Sequence, residues 1–395
     1  TSIHQILTGA NPGNITLLGE EFDEIYLNKV HTLSLSPESV GKFHDMKIAY
    51  TPLHGAGVRV VPASLRKWGF TNVSLVEEQA VIDGNFPTVE SPNPEERKTM
   101  AKAIELGSRL GADLVLATDP DSDRIGVALR NAKGEYVLLN GNQTLSLIMA
   151  YQLTRWSELG RLDGKEFVVK TIVTSQMPNV MAAHFGVKCY DCLTGFKYIA
   201  RIIRNNEGKA TYIGGGEESF GYLAGDFVRD KDAVSACSLV AEAAAWTRDT
   251  MGLTLYEWLQ KLYVEFGFFR EGLVSVVRKG MEGAAEIQQM MVDYRADPPR
   301  EIAGSPVVKI NDFKLLESTD VRTGAKTPIE EEASNVLQWF AADGTVVSVR
   351  PSGTEPKIKF YFGVRAELES VADFDRVEAG LDAKIETIKK ELKLV

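Results

Sequence analysis

The chain repeats itself, and the repeat is what most limits how it can fold. A short apolar run, Met46 to Tyr50, leads into the loop Thr51-Pro52-Leu53-His54-Gly55-Ala56-Gly57. A helix through Leu65 follows, then Trp68-Gly69-Phe70 and a second strand from Val73 to Val76. A diverged copy opens with Phe167 to Val173, turns at Thr174-Ser175-Gln176, forms a helix through Ala183 and passes Phe185-Gly186-Val187. Gly69 and Gly186 stand where a glycine ends a helix before a strand. Each copy adds another helix, Arg97 to Leu110 or Tyr198 to Arg204, and a strand that ends in an acidic loop. Strand–helix alternation with short loops predicts α/β units. Such sheets carry their functional loops at the carboxyl ends of the strands.

At 395 residues the chain exceeds one ordinary core, and two to four domains are expected. An apolar helix from Asn142 to Leu153 opens the second unit, and an amphipathic helix from Leu255 to Phe266 closes it. Beyond the breaker Ala296-Asp297-Pro298-Pro299 come strand-like runs at 306–310, 336–340, 346–349 and 357–364. A terminal amphipathic helix spans about Ala372 to Leu392. The fold expected is α/β: two tandem repeated α/β three-layer domains with mixed sheets, followed by a smaller α+β C-terminal domain.

Composition narrows the function. Lys and Arg number 44 against 54 Asp and Glu, a formal charge of −10, which argues against nonspecific nucleic-acid binding. An anionic ligand therefore needs a local basic pocket. No run approaches the ~18 apolar residues of a membrane span. Three cysteines cannot build a disulfide framework, no signal-peptide pattern opens the chain, and a cytoplasmic location is expected. Cys189-Tyr190-Asp191-Cys192 lacks a second cysteine pair and reads as buried structural thiols. Thr1 stands where an initiator Met would, as in a processed or truncated piece.

Four loops carry chemistry. Asp119-Pro120-Asp121-Ser122-Asp123-Arg124 lies between the apolar runs 114–117 and 125–129. Three carboxylates crowded at a strand end repel one another without a cation, and oxygen-only ligands favour a hard one such as Mg²⁺. A solvated acidic turn is the plainer reading of that loop alone. It is not an EF-hand, which needs Gly and Glu where Arg124 and Arg130 stand. Asp123 occupies the threonine position of an aspartate-nucleophile phosphatase loop. Arg350 to Lys357 offers a guanidinium, two hydroxyls, a glycine amide and a lysine, a set suited to a phosphate monoester. A plain hairpin turn fits equally. Gly216-Glu217-Glu218-Ser219-Phe220-Gly221 sets carboxylates where sugar hydroxyls can donate to them. Leu193-Thr194-Gly195 opens a helix that Thr194 could simply cap. Asp226 to Asp232 is charged and leads into an apolar helix, whose start Asp230 or Asp232 would favour.

The combination is more specific than any member. In order along the chain it resembles the α-D-phosphohexomutase superfamily, the phosphoglucomutases and phosphomannomutases, from about Glu20 onward. The forms Gly-Glu-Glu-Ser-Phe-Gly and Arg-Asp-Lys-Asp, with the loop Thr51 to Gly55, look more like the phosphoglucomutase branch. The resemblance implies that Asp119, Asp121 and Asp123 hold Mg²⁺ and that Arg124 lies beside the transferring phosphoryl group. Lys231 would approach the substrate. Thr194, Gly195, Glu217 and Ser219 would contact the sugar. Arg350, Ser352, Gly353 and Thr354 would hold the phosphate that is not being transferred. The implied reaction interconverts hexose 1-phosphate and hexose 6-phosphate, of glucose or mannose, through a hexose bisphosphate.

The family's first domain carries a phosphorylated serine in a Thr-Ala-Ser-His-Asn-Pro-like loop, and no such loop occurs in these residues. Glu90-Ser91-Pro92-Asn93-Pro94 lacks the histidine and matches a second-domain stretch, so Ser91 reads as a turn residue. The chain is thus expected to correspond to domains two to four, at 20–133, 134–267 and 268–395, with 1–19 an interdomain remnant. It is expected to be inactive alone. A non-catalytic sugar-phosphate-binding protein is the alternative, and a Mg²⁺ phosphatase a third reading. No nucleic-acid or membrane partner is expected.

Overall fold

The computed structural model describes residue 16 and residues 18–278, 280–352 and 356–394. Helices α1 (Glu20–His31) and α2 (Pro37–Lys42) precede the first sheet. Its elements follow as β1 (Ile48–Thr51), α3 (Gly57–Trp68), β2 (Val73–Leu75), α4 (Ala101–Leu110), β3 (Leu114–Thr118), β4 (Ile125–Arg130) and β5 (Tyr136–Leu138). The strand order is β2-β1-β3-β4-β5. β1 runs parallel to β2 and β3, whereas β4 and β5 return antiparallel.

The second unit holds α5 (Gly141–Glu158), β6 (Glu166–Thr171), α6 (Met177–His184), β7 (Lys188–Cys192), α7 (Phe196–Asn206), β8 (Thr211–Gly216), β9 (Tyr222–Ala224), α8 (Ala233–Met251) and α9 (Leu255–Phe266). Its order is β7-β6-β8-β9, with the same strand directions as β2-β1-β3-β4. The sequence repeat is therefore a repeat of topology. Gly69 (φ +116°) and Gly186 (φ +69°) both adopt the left-handed backbone that ends a helix cheaply. β1, β3 and β6 are buried along their whole length, as strands covered on both faces must be.

The two units share one continuous apolar core. α8 packs on α3, where Ser64 and Ser238 hydroxyls bond at 2.8 Å. Buried Glu242 of α8 accepts the backbone N–H groups of Leu35 (2.9 Å) and Ser36 (3.0 Å), the Tyr151 hydroxyl (2.8 Å) and the Ser34 hydroxyl. One carboxylate thus fixes the α1–α2 connection to the second unit.

The last unit holds β10 (Phe268–Val277), α10 (Gly280–Ala296), β11 (Glu301–Ile302), β12 (Ser305–Asp312), β13 (Glu317–Asp320), β14 (Lys326–Pro328), β15 (Leu337–Ala341), β16 (Val346–Pro351), β17 (Lys357–Ala366) and α11 (Phe374–Glu391). Its antiparallel sheet runs β10-β17-β16-β15-β12-β13-β14. Stacked rings of Tyr263, Phe268 and Phe374 join it to α9, with centroids 4.3 and 4.8 Å apart.

Some elements differ from the sequence expectation. The helix expected from Arg97 begins at Ala101, because Thr99 donates its hydroxyl to the Ser91 carbonyl and holds the preceding turn. β10 and α10 carry weak patterns. Arg270, Glu271 and Gly272 interrupt the alternation in β10, and two glycines dilute α10. Cys189 and Cys192 lie on β7 as free thiols, and burial pushes Cys189 up to about 12. Among the described residues no helix is long and apolar enough to cross a membrane.

Candidate active site

The acidic loop follows the carboxyl end of β3. Asp119, 8% exposed, accepts the backbone N–H groups of Asp123 (3.0 Å) and Arg124 (2.9 Å) on one oxygen. Ser122 turns the chain with φ +60°. One oxygen from each of Asp119, Asp121 and Asp123 can be chosen so that all lie within 4.8 Å of one another. Burial pushes Asp119 up to about 7, against the Arg124 N–H bond, and the neighbouring Asp123 and Asp121 charges add to the rise. Three hard oxygen donors that repel one another suit a divalent cation, so the residues present fit a metal.

The equivalent loop of the second unit meets this one directly. The Ile125 N–H donates to the Phe220 carbonyl at 3.0 Å, and Arg124 and Gly221 form an isolated antiparallel bridge. Repetition of one topology thus brings two strand-end loops edge to edge. Glu217 is buried and accepts the Gly195 N–H at 2.9 Å. Its pKa is raised by burial first and by Glu218 second. Glu218 accepts the hydroxyls of Thr171 (3.0 Å) and Thr174 (3.3 Å), which anchors the loop to the end of β6. Ser219 is half-buried beside them.

Thr194 does not cap α7. Gly195 (φ +119°) holds the cap position, and the Thr194 hydroxyl is buried without a partner among the described residues. Of the two aspartates weighed for the start of α8, Asp232 caps it, accepting the N–H groups of Val234 and Ser235. Lys231 instead pairs with Asp123 (3.2 Å) and Asp230 (2.5 Å). Burial works to lower the Lys231 pKa, but these carboxylates outweigh it and hold the ammonium charged. A Cβ on Gly221 would lie 2.4 Å from the Lys231 chain, so glycine admits the lysine to the cleft.

The third unit contributes Arg350 and Ser352 from the end of β16, where the Ser352 N–H donates to the Lys357 carbonyl at 2.8 Å. Gly353 and Thr354 lie outside the described residues. Tyr361 has its pKa raised by burial and then by the Glu218 charge, with Glu217 adding to the rise and Arg350 opposing it.

Glu95 was not anticipated. It takes a 3.2 Å contact from the Arg124 guanidinium, whose Nε lies 3.8 Å from Asp119 and 3.7 Å from Asp123. The loop carrying Glu95 is pinned by an Asn93 side chain that accepts the Glu95 N–H. A lone Glu after Pro-Asn-Pro carries no signal of such a role. His54 serves as a staple. Its two ring nitrogens bond the Val81 carbonyl (2.9 Å) and the Thr88 hydroxyl (2.8 Å).

Comparison with known proteins follows the same order of units. Residues 24–134, 140–266 and 308–381 match the family descriptions "Phosphoglucomutase/phosphomannomutase, alpha/beta/alpha domain II", "alpha/beta/alpha domain III" and "C-terminal domain". A phosphoglucomutase of Staphylococcus aureus strain MRSA252 is 36% identical over 341 residues, covering 86% of this chain and 60% of its own. The chain thus spans about 60% of the length of such a relative. Pp63/parafusin, a phosphoglucomutase from Paramecium, aligns with a TM-score of 0.60 at 15% identity, over 94% of this chain and 62% of its own. A phosphoglucomutase/phosphomannomutase family protein from Burkholderia thailandensis aligns at 0.56 and 16% identity, over 91% and 65%. These structures share the fold. With three successive units matched in order, each built and joined as described, the chain belongs to the phosphoglucomutase/phosphomannomutase family.

Proposed function

We propose that these residues form the metal-, sugar- and phosphate-binding part of a hexose-phosphate mutase, an isomerase that acts by phosphotransfer through a hexose bisphosphate. The observation that carries the reading is the direct junction of the two strand-end loops at Ile125 and Phe220. It supports the reading by bringing the loop of Asp119, Asp121 and Asp123 beside the loop of Glu217, with Lys231 paired to Asp123 at 3.2 Å. The domain limits 20–133, 134–267 and 268–395 and a cytoplasmic location belong to the same proposal.

Each residue has a role in this reading. Asp119, Asp121 and Asp123 hold Mg²⁺, which supplies charge neutralisation for the transferring phosphoryl group. Arg124 and Lys231 present fixed positive charge beside that group, and a charged Lys231 is a poor proton acceptor. Glu217 accepts hydrogen bonds from sugar hydroxyls, with Ser219, Thr194 and Gly195 lining the ring. The unpartnered Thr194 hydroxyl supports this assignment, since a buried hydroxyl without a partner is costly unless a ligand supplies one. Arg350, Ser352, Gly353 and Thr354 hold the other phosphate and orient the substrate.

The phosphoryl carrier lies outside these residues in this reading. Purified chain given glucose 1-phosphate with trace glucose 1,6-bisphosphate and Mg²⁺ is expected to bind the bisphosphate by calorimetry and to form negligible glucose 6-phosphate. Robust turnover would refute the need for an external carrier, and no binding would refute the sugar-phosphate site. A second reading, a non-catalytic sugar-phosphate-binding protein, is favoured by the lack of a serine-histidine loop in these residues. A phosphoserine loop encoded upstream in the same gene separates the two.

A further inference from the structure

The loop between β1 and α3 is held in an unfavourable backbone shape, and it lies against the acidic turn. Leu53 (φ +47°) and His54 (φ +63°) are consecutive non-glycine residues in left-handed backbone. Such residues persist where their surroundings over-determine them. Here a buried polar network does so. The Thr51 hydroxyl oxygen accepts the Leu53 N–H (3.1 Å) and donates its proton to the Gln79 side-chain oxygen (2.7 Å). The His54 N–H donates to the Gln79 carbonyl at 2.9 Å, and the Gln79 side-chain amide donates to the Thr88 hydroxyl oxygen at 3.0 Å. The His54 ring closes the network on Thr88 and on the Val81 carbonyl. A carbonyl only accepts, so Nδ1 carries the proton. Thr51, Gln79 and His54 are all buried.

That shape sets the loop flush against the turn Asp119 to Asp123. The Ala56 N–H donates to the Pro120 carbonyl at 2.8 Å. A Cβ on Gly55 would lie 2.3 Å from the Pro120 Cα, and one on Gly57 would lie 2.7 Å from the Ser122 hydroxyl oxygen. From the other side, the Ala233 N–H at the start of α8 donates to the Ser122 carbonyl at 3.0 Å. The two clamped carbonyls flank Asp121. The Asp119 carboxylate is fixed by N–H groups of its own loop, and Asp123 by Lys231. Among the described residues the Asp121 carboxylate accepts no backbone N–H and pairs with no cation. The clamped peptide groups on either side therefore set its direction.

Resting on the metal-site reading above, we infer that the loop from Thr51 to Gly57 is a clamp that aims Asp121 at the cation, and that His54 is the positioning residue that locks it. His54 touches neither metal nor substrate in this role. It acts through the left-handed turn at Leu53 and His54, which carries the Ala56 N–H to Pro120. An exposed ligand carboxylate loses freedom on binding a metal, and a turn fixed beforehand has less to lose. Groups that orient metal ligands in this way are worth about 10- to 100-fold in metal affinity. The competing role of the network is to hold residues 79–88 on the first unit, with no bearing on the metal. In that role, loss of His54 lowers stability alone.

Mg²⁺ calorimetry on the full chain separates these roles, beside urea unfolding and the electron paramagnetic resonance spectrum of bound Mn²⁺. Ala56→Pro deletes the N–H that holds Pro120, at a residue whose φ of −65° is the one proline adopts. It is expected to weaken Mg²⁺ binding about tenfold and to change the Mn²⁺ spectrum, which reports ligand geometry. His54→Ala should lower the unfolding midpoint and, measured on folded chain, weaken Mg²⁺ binding by about the same factor. His54→Asn tolerates left-handed backbone and should recover most of that affinity. Thr88→Val removes the Nε2 partner of the ring without touching the loop and should weaken Mg²⁺ binding several-fold. It decides the role of His54 if His54→Ala does not fold. Wild-type Mg²⁺ affinity in Ala56→Pro would overturn the clamp. Wild-type affinity in folded His54→Ala, or in Thr88→Val where that chain does not fold, would overturn the positioning role of His54, whatever the midpoints. Both results would leave the metal-site reading intact. Failure of the wild-type chain to bind Mg²⁺ would overturn that reading and this inference with it.

Discussion

Asp119 shows how one side chain can shape a loop and still suit a cation. One oxygen is spent on two backbone N–H groups that shape the loop, and burial still keeps the carboxyl up to about 7. The sign of the consequence is fixed by linkage. A carboxyl whose folded pKa is raised favours the fold while protonated. That contribution is present below the ordinary aspartate range near pH 4 and is lost as pH rises through about 7. A divalent cation needs the ionised form, so metal affinity is expected to climb from about pH 5 to pH 7 and to level off above about pH 8. Mg²⁺ titrations by calorimetry across that range check it, and a flat profile would remove Asp119 from the metal set. The three aspartates, Arg124, Lys231, Glu217 and Arg350 were legible in sequence because each sits in a compact motif at a strand end. Glu95 and Tyr361 were not. Their contacts come from segments distant in sequence, and no local pattern records them.

At the scale of elements, the site depends on glycines where loops and helices touch. Gly141 opens α5 against the loop of Glu217 and Glu218, and a Cβ there would lie 2.0 Å from the Glu218 carbonyl oxygen. Backbone on both sides leaves no flexible group to yield. Gly141→Ala is therefore expected to destabilise the chain by about 1–3 kcal/mol, the usual cost of overpacking. It should also weaken sugar-phosphate binding, because the displaced residue is Glu218. Urea unfolding beside calorimetry checks both effects, and an unshifted midpoint would contradict the packing argument. The element types read well from periodicity in the repeated units, where apolar runs and closing glycines agree. They read poorly in β10, whose Arg270-Glu271-Gly272 segment breaks the pattern although the strand pairs with β17 from Phe268 to Val277. Pairing partners made that strand, not its own residues.

Across the whole molecule, Glu242 holds together segments about two hundred positions apart. Its four accepted hydrogen bonds come from the α1–α2 connection and from Tyr151 of α5. Glu242→Ala leaves those buried donors unsatisfied and is expected to cost about 3 kcal/mol. Differential scanning calorimetry should show the first two units losing their joint transition. An unchanged melting curve would mean the units do not depend on this carboxylate. The sequence alone determined the order and kind of the units, the repeat that relates two of them, and the chemical character of each loop. Those features are local: periodicity, turn residues and short motifs act over a few positions. Only the tertiary structure decided which loops meet. The Ile125–Phe220 junction and the Glu95–Arg124 contact each join residues brought near by sheet topology and core packing. Such contacts depend on the sum of many weak apolar interactions across the chain, which no short stretch of sequence contains.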